Sequence, residues 1–323
     1  VNHNGSLELA KGLGDGAKDC GADIVKFQSF KSNNLVIKDT KKAHYQRLNT
    51  RDVDSQFDML SKLEFSFKQQ LDLKNYCTKK NIEFLSTAFD LDSLDLLNKM
   101  NLKRLKIPSG EITNLPYLRK IGSLGKPIIL STGMSNLQEI RNALNHLQMV
   151  GIARKDLSIL HCTSDYPAPM SDVNLKAMST IKNEFKVSVG YSDHTLGIEV
   201  SLAAVSLGAQ IIEKHITLDK NLFGPDHKAS LEPYEFSNLV KGIRNISIAL
   251  GKEEKKITNS ELKNLKIVRK SIVAKKNIKK DDIYTEENLT TKRPASGICP
   301  MRWDELIGKK SNKDYKIDDL IEY

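Results

Sequence analysis

Short apolar runs recur along the chain, and each gives way to a longer stretch in which apolar residues return every three or four positions. The runs read as strands: Asp23–Gln28, Ile82–Thr87, Leu102–Ile107, Lys126–Thr132, Leu157–Cys162, Lys186–Tyr191 and Ala209–His215. The stretches between them, such as Leu137–Met149 and Val200–Leu207, carry the period of an amphipathic helix. Strands that alternate with helices at this spacing predict βαβ units and a parallel sheet. The opening Val1-Asn2-His3-Asn4 reads as the tail of a further strand, the first of the fold, with its beginning missing. Eight βα units close into a (β/α)₈ TIM barrel. A doubly wound open sheet is the rival, but no GxGxxG follows any of the runs.

Polar, reactive residues cluster where the runs end: Lys26 and Gln28, Thr87, Lys106, Thr132, Thr163, Ser192 with His194, and Glu213 with His215. Barrel enzymes build their active sites at the C-terminal ends of their strands. The stretch from Ser29 to Glu64 is long for a βα loop and should edge or cover such a site. A helix from Pro233 to Leu250, with proline in its first turn, ends the barrel at about residue 252. Residues 253–268 are charged and read as a linker. Residues 269–323 form a compact module with a strand at Ser271–Ala274 and a turn at Lys279–Asp282. So small a module has little core of its own and should lean on the barrel or on a partner subunit.

Composition narrows the picture. At 323 residues, with 39% hydrophobic and 28% charged residues, the chain has the balance of an ordinary globular protein. No apolar run reaches the roughly 20 residues that span a bilayer. The formal charge of +10 comes from lysines spread along the chain, and aromatics make up only 6%. A nucleic-acid footprint would concentrate charge on one face with interleaved aromatics, so an anionic small molecule is the better partner. The four cysteines, Cys20, Cys77, Cys162 and Cys299, form no CxxC pair, and a reducing cytoplasm suits them.

His194 and His215 end consecutive strands, so both imidazoles can enter one cavity and, with oxygen co-ligands, hold a divalent metal. A lone histidine would more simply be a packed side chain. Lys26 and Lys106 lie inside apolar runs, where an ammonium is costly unless an anion meets it. With hydroxyls from Thr87, Ser109 and Ser192 they suit a phosphate or carboxylate; a Schiff-base lysine is the other use of such a residue. Glu111, on the loop after the Leu102–Ile107 run, can bind a hydroxyl or take a proton, or act as a charge at a helix start. Asp226, in the turn Gly224-Pro225-Asp226-His227-Lys228, is a substrate contact or a turn former. Arg293, in Lys292-Arg293-Pro294, offers a guanidinium fork in the small module, or is a surface charge.

These motifs together resemble the bacterial N-acetylneuraminate (sialic acid) synthases and their relatives, the legionaminate and pseudaminate synthases. The resemblance is carried by Asn2-His3-Asn4-Gly5, Val25-Lys26-Phe27-Gln28, Leu105–Glu111, Leu130–Met134, His161-Cys162-Thr163, Tyr166-Pro167, Ser192–Thr195, Glu213-Lys214-His215, Gly224–Ser230 and Lys292-Arg293-Pro294, and it runs to about Ile321. It implies a barrel followed by an antifreeze-like (SAF, β-clip) domain, in a domain-swapped homodimer in which each small domain caps the partner's site. It implies phosphoenolpyruvate bound by Lys26, Thr87, Lys106, Ser109 and Ser192, and a divalent metal, manganese or another such as magnesium or cobalt, on His194 and His215. It implies an N-acetylated amino sugar met by Gln28, Glu111, Tyr166 and Asp226, with Arg293 reaching its N-acetyl group from the partner.

Two departures stand out. The family's glutamate lies in the first strand a few residues ahead of the Asn-His motif, and this sequence starts after it; Ser164 stands where some members place asparagine in the phosphoenolpyruvate site. A serine hydroxyl donates only one hydrogen bond there. The reaction so implied is N-acetylneuraminate synthesis from N-acetylmannosamine for surface polysaccharide. The alternative is N,N'-diacetyllegionaminate from 2,4-diacetamido-2,4,6-trideoxymannose. A Schiff-base aldolase and a non-catalytic sugar-binding protein are remoter readings.

Overall fold

The computed structural model describes residues 1–50 and 55–323. Part of the long loop read from Ser29 to Glu64, residues 51–54, therefore lies outside the described residues. The chain divides into two compact units, Val1–Gly251 and Lys252–Tyr323.

The first unit holds seven parallel strands in sequential order: β1 (Ile24–Ser29), β2 (Glu83–Ala88), β3 (Leu105–Ile107), β4 (Ile128–Ser131), β5 (Leu157–Cys162), β6 (Ser188–Asp193) and β7 (Ile212–Lys214). A helix follows each strand and packs on the outside, which is the (β/α)₈ class of fold. The reason lies in the sequence pattern. The runs are apolar on both faces, as strands covered on both sides must be; all of β3 and β4 is buried. The helices bury one stripe: Leu137–Met149 turns Ile140, Ala143, Leu144 and Leu147 inward and starts at an Asn136–Glu139 capping box. Pro233 opens the last helix of this unit, which runs to Ala249.

Two expectations are corrected. Val1–Asn4 forms a turn and not the tail of a strand. The Asn4 amide donates to the Val1 carbonyl and the Ser6 amide to that of His3, and φ is positive at Asn4 and Gly5. This turn lies beside the end of β7, where the Asn2 side-chain amide donates to the Ile216 carbonyl. Among the described residues no ladder joins β1 to β7. A cavity of about 700 Å³ lies along them, lined by Val25, Lys26, Glu213, His215, Leu239 and Val240 among others. Finally, the stretch read as a linker contains a helix, Asn259–Val268, with a Thr258–Glu261 capping box and no buried residue. Its charged, apolar-poor composition belongs to an exposed helix as well as to a linker.

Among its described residues the long loop after β1 carries three short helices, Ser32–Leu35, His44–Thr50 and Gln56–Leu63. Glu64 pins its start, accepting from the Lys31 ammonium at 2.7 Å and from the Ser32 amide at 2.9 Å.

The second unit pairs β8 (Ser271–Ala274) with β9 (Leu289–Lys292) in antiparallel register. Its own small core gathers Ile272, Ile278, Tyr284, Leu289, Tyr315 and Ile321. The turn expected at Lys279–Asp282 is present, with Asp281 at positive φ and the Lys279 amide on the Asp282 carboxylate. Among the described residues no helix is long and apolar enough to cross a membrane.

Candidate active site

The register of the strands brings the strand-end side chains together. Gln28 lies opposite Thr87, Thr87 opposite Lys106, and Ser192 opposite Glu213. Lys106 is buried; its ammonium donates to Ser131 Oγ at 2.5 Å and lies 3.6 Å from Glu213 Oε2. Lys26 reaches the other oxygen of the same carboxylate, also at 3.6 Å, and Ser192 Oγ donates to it at 2.9 Å. One carboxylate thus holds two ammoniums and a hydroxyl. Burial opposes its charge, but Lys106, Lys26 and Ser192 outweigh burial and hold the Glu213 carboxyl well below its ordinary range. Burial lowers the Lys106 ammonium, with Glu213 opposing.

Thr87 Oγ1 is fully buried with no protein partner. An unsatisfied hydroxyl on a residue opposite Lys106 is unfavourable in a sealed core and natural in an anion site that a ligand completes. Ser109 and Ser164 extend the same wall. The Gly133 amide donates to Ser109 Oγ at 2.9 Å, and a Cβ at Gly133 would meet Ser164 Oγ at 2.1 Å and Ser109 Oγ at 3.0 Å. Glycine here lets both hydroxyls approach one backbone. Gly133→Ala is expected to push the serine hydroxyls aside and weaken phosphate binding several-fold, at a stability cost of only about 1 kcal/mol. Titration of phosphate against the melting temperature of both proteins measures it; equal phosphate stabilisation would remove Ser109 and Ser164 from the anion site.

The imidazoles of His194 and His215 stand edge to face, 5.4 Å between centroids. His194 Nδ1 lies 2.6 Å from the Thr163 carbonyl, which places the proton on Nδ1 and leaves Nε2 as the lone pair. His215 Nδ1 is 3.6 Å from Asp226 Oδ2. Burial lowers both histidines, and His194 and Lys26 further depress His215, so both rings are neutral donors at neutral pH. Among the described residues no group of three or more His, Cys, Asp and Glu side chains is placed to enclose an ion. Tyr166 covers the pair, its ring 4.2 Å from that of His194 and 5.5 Å from that of His215. Asp226 is buried, and burial raises its carboxyl.

Glu111 sits just beyond β3 with its carboxylate on the Asn114 amide at 2.6 Å; it makes no bond to the lysine pair. Burial raises its pKa, opposed by Asn114 and assisted by Asp90. Arg293 belongs to the second unit, exposed just after β9.

Several participants were not read from the sequence. Glu213 was noticed only as a strand-end residue. Its spacing of two from His215 places both on one strand face, which was signal enough. Asp193 and Lys214 stand in two of the motifs, but their pairing was not read. They lie opposite each other in register and form a fully buried ion pair at 3.0 Å. The Asp193 carboxylate also accepts from the Thr195 amide, Thr195 Oγ1 and Ser201 Oγ, while the Lys214 ammonium donates to the Thr195 carbonyl. This network braces the strand ends that carry His194 and His215.

A curled parallel sheet with buried lysines and paired imidazoles at its strand ends has the layout of a barrel enzyme. More narrowly, the chain belongs to the NeuB family: residues 14–255 match that family and residues 269–323 match the SAF domain. It is 59% identical over 321 residues to the N,N'-diacetyllegionaminic acid synthase of Campylobacter jejuni, covering 99% of this chain and 96% of that one. With the synthase of the same name from Legionella pneumophila it shares 48% over 312 residues, covering 96% and 88%. The crystal structure of N-acetylneuraminic acid (sialic acid) synthetase from Leptospira borgpetersenii in complex with citrate superposes with a TM-score of 0.71 at 35% identity, over 81% of this chain and 86% of that one. The chain is accordingly an enzyme of the sialic and related nonulosonic acid synthase class.

Proposed function

We propose that this enzyme condenses phosphoenolpyruvate with 2,4-diacetamido-2,4,6-trideoxymannose to give N,N'-diacetyllegionaminate and phosphate. The sequence reading put N-acetylneuraminate first; the 59% and 48% identities to legionaminic acid synthases, against 35% to a sialic acid synthetase, favour its alternative. The observation that carries the chemistry is the pair Lys26 and Lys106 held by one carboxylate beside the unpartnered Thr87 hydroxyl. In this reading the two ammoniums with Thr87, Ser109 and Ser192 hold the phosphate and carboxylate of phosphoenolpyruvate. Carbon 3 of the enol attacks the aldehyde carbon of the open-chain sugar, water adds at carbon 2, and phosphate leaves as its bond to carbon 2 breaks. Orientation of the two reactants is the main contribution of the fixed side chains.

His194 and His215 would hold a divalent cation such as manganese, with substrate oxygen and water completing its shell. Its chemistry when bound is Lewis-acid polarisation of the aldehyde oxygen. Tyr166, Gln28, Glu111 and Asp226 position the sugar. Arg293 of a second copy, in a domain-swapped homodimer, reaches its N-acetyl group. Four free cysteines suit a cytoplasmic enzyme.

The test is phosphate release from phosphoenolpyruvate with manganese, using the diacetamido sugar and N-acetylmannosamine in parallel. Faster release with the diacetamido sugar, stopped by EDTA, is the expected result. Faster release with N-acetylmannosamine reverses the choice of acceptor. Release that EDTA leaves untouched removes the metal, and release with neither sugar overturns the reading.

A further inference from the structure

The helix His44–Thr50 belongs to the long loop after β1, yet it meets residues of two other loops, those after β5 and β7. Tyr45 packs its ring on Tyr166, 5.0 Å between centroids, and the Tyr166 ring in turn lies on the imidazole pair. Asn49, one turn further, donates to the Pro225 carbonyl at 2.6 Å and ties the helix to the turn that carries Asp226. Burial raises the Tyr45 hydroxyl, and the charges of Asp226 and Asp165 act in the same direction. Gln46 donates to that hydroxyl at 3.3 Å, and the Tyr45 side chain is half-buried.

We propose that Tyr45 is a specificity-determining residue of the acceptor-sugar subsite, forming with Tyr166 an aromatic wall for the acetamido and deoxy carbons of the sugar. The inference rests on the function proposed above, and in particular on Tyr166 and Asp226 facing the amino sugar. The chemistry follows from the geometry. A hydroxylated sugar presents polar groups that an aromatic wall cannot satisfy. A sugar bearing a second acetamido group and a 6-methyl carbon presents apolar surface that the wall covers, as ring faces do for C–H groups. Asn49 holds the helix in place without touching the imidazoles.

The experiment compares Tyr45→Ala, Tyr45→Leu and Tyr45→Phe with the unaltered protein, measuring kcat and KM for each substrate by phosphate release and the melting temperature of each. Tyr45→Ala should raise KM for the diacetamido sugar by roughly three- to tenfold, the range of an aromatic contact. It should leave KM for phosphoenolpyruvate unchanged and narrow the preference over N-acetylmannosamine. Tyr45→Phe should behave as the unaltered protein. Tyr45→Leu, which keeps bulk and so guards against simple collapse of the loop, should fall between. Equal rises in both Michaelis constants, an effect on kcat alone, or no effect in a folded variant would overturn the assignment of Tyr45. If the unaltered protein turns over neither sugar, the proposed function itself falls and this inference falls with it.

Discussion

Lys106→Met is expected to lower kcat for phosphate release by a factor on the order of 10²–10³, the loss that follows removal of one preorganised charge donor from an active site. Lys106 is 3% exposed, and its ammonium serves Ser131 and Glu213 together. Methionine keeps the length and apolar body of the side chain, so the core around β3 stays filled. Glu213 retains Lys26 and Ser192 as partners and remains compensated, so the variant folds. The loss should appear in KM for phosphoenolpyruvate as well as in kcat, because the same charge holds the anion in the ground state. Steady-state kinetics decide it: turnover within tenfold of the unaltered enzyme would show that Lys26 alone carries the anion and that Lys106 is structural.

The second large effect concerns folding. Asp193→Ala leaves the Lys214 ammonium buried at 1% exposure without its counter-charge, and strips an acceptor from Thr195 and Ser201. Breaking a fully buried pair by removing one partner costs about 3–5 kcal/mol. For a unit of this size that lowers the melting temperature by roughly 10 °C. Activity should fall further than stability alone requires at temperatures where the variant is folded, because His194 follows Asp193 directly and His215 follows Lys214. Calorimetry of the variant is the check. A melting temperature within about 2 °C of the unaltered protein would mean that Lys214 finds another partner, for instance Glu199 or Glu235, whose fields already reach it.

Much of this architecture was legible before any coordinates, for physical reasons. A strand buried on both faces must be a continuous apolar run, so a lysine within it stands out, as Lys26 and Lys106 did, while His194 and His215 stood out as polar residues just past strand ends. Strand ends were less clear. The Lys186–Tyr191 run is observed as Ser188–Asp193, because Asp193 is paid for by Lys214 and can extend a buried strand. Tyr45 was not legible. Its contact with Tyr166 spans 121 residues of sequence and depends on how the long loop folds back, which no local period encodes. The helix Asn259–Val268 was missed for the opposite reason: its signal was present in the Thr258–Glu261 spacing, but its apolar residues are too few and too exposed to mark a core-facing stripe.

The interleaving of β6 and β7 has a consequence for how such a chain can change over time. On each strand the residues of the strand-end cluster, Ser192 and His194 or Glu213 and His215, alternate with one that braces the outer layer, Asp193 or Lys214. Gaining or losing one residue in either strand would swap the two sets, turning the bracing charge into the cluster and an imidazole into the packed helix layer. A change of length is therefore what these two strands tolerate least, whereas residues added to or lost from the loop after β1 shift no strand.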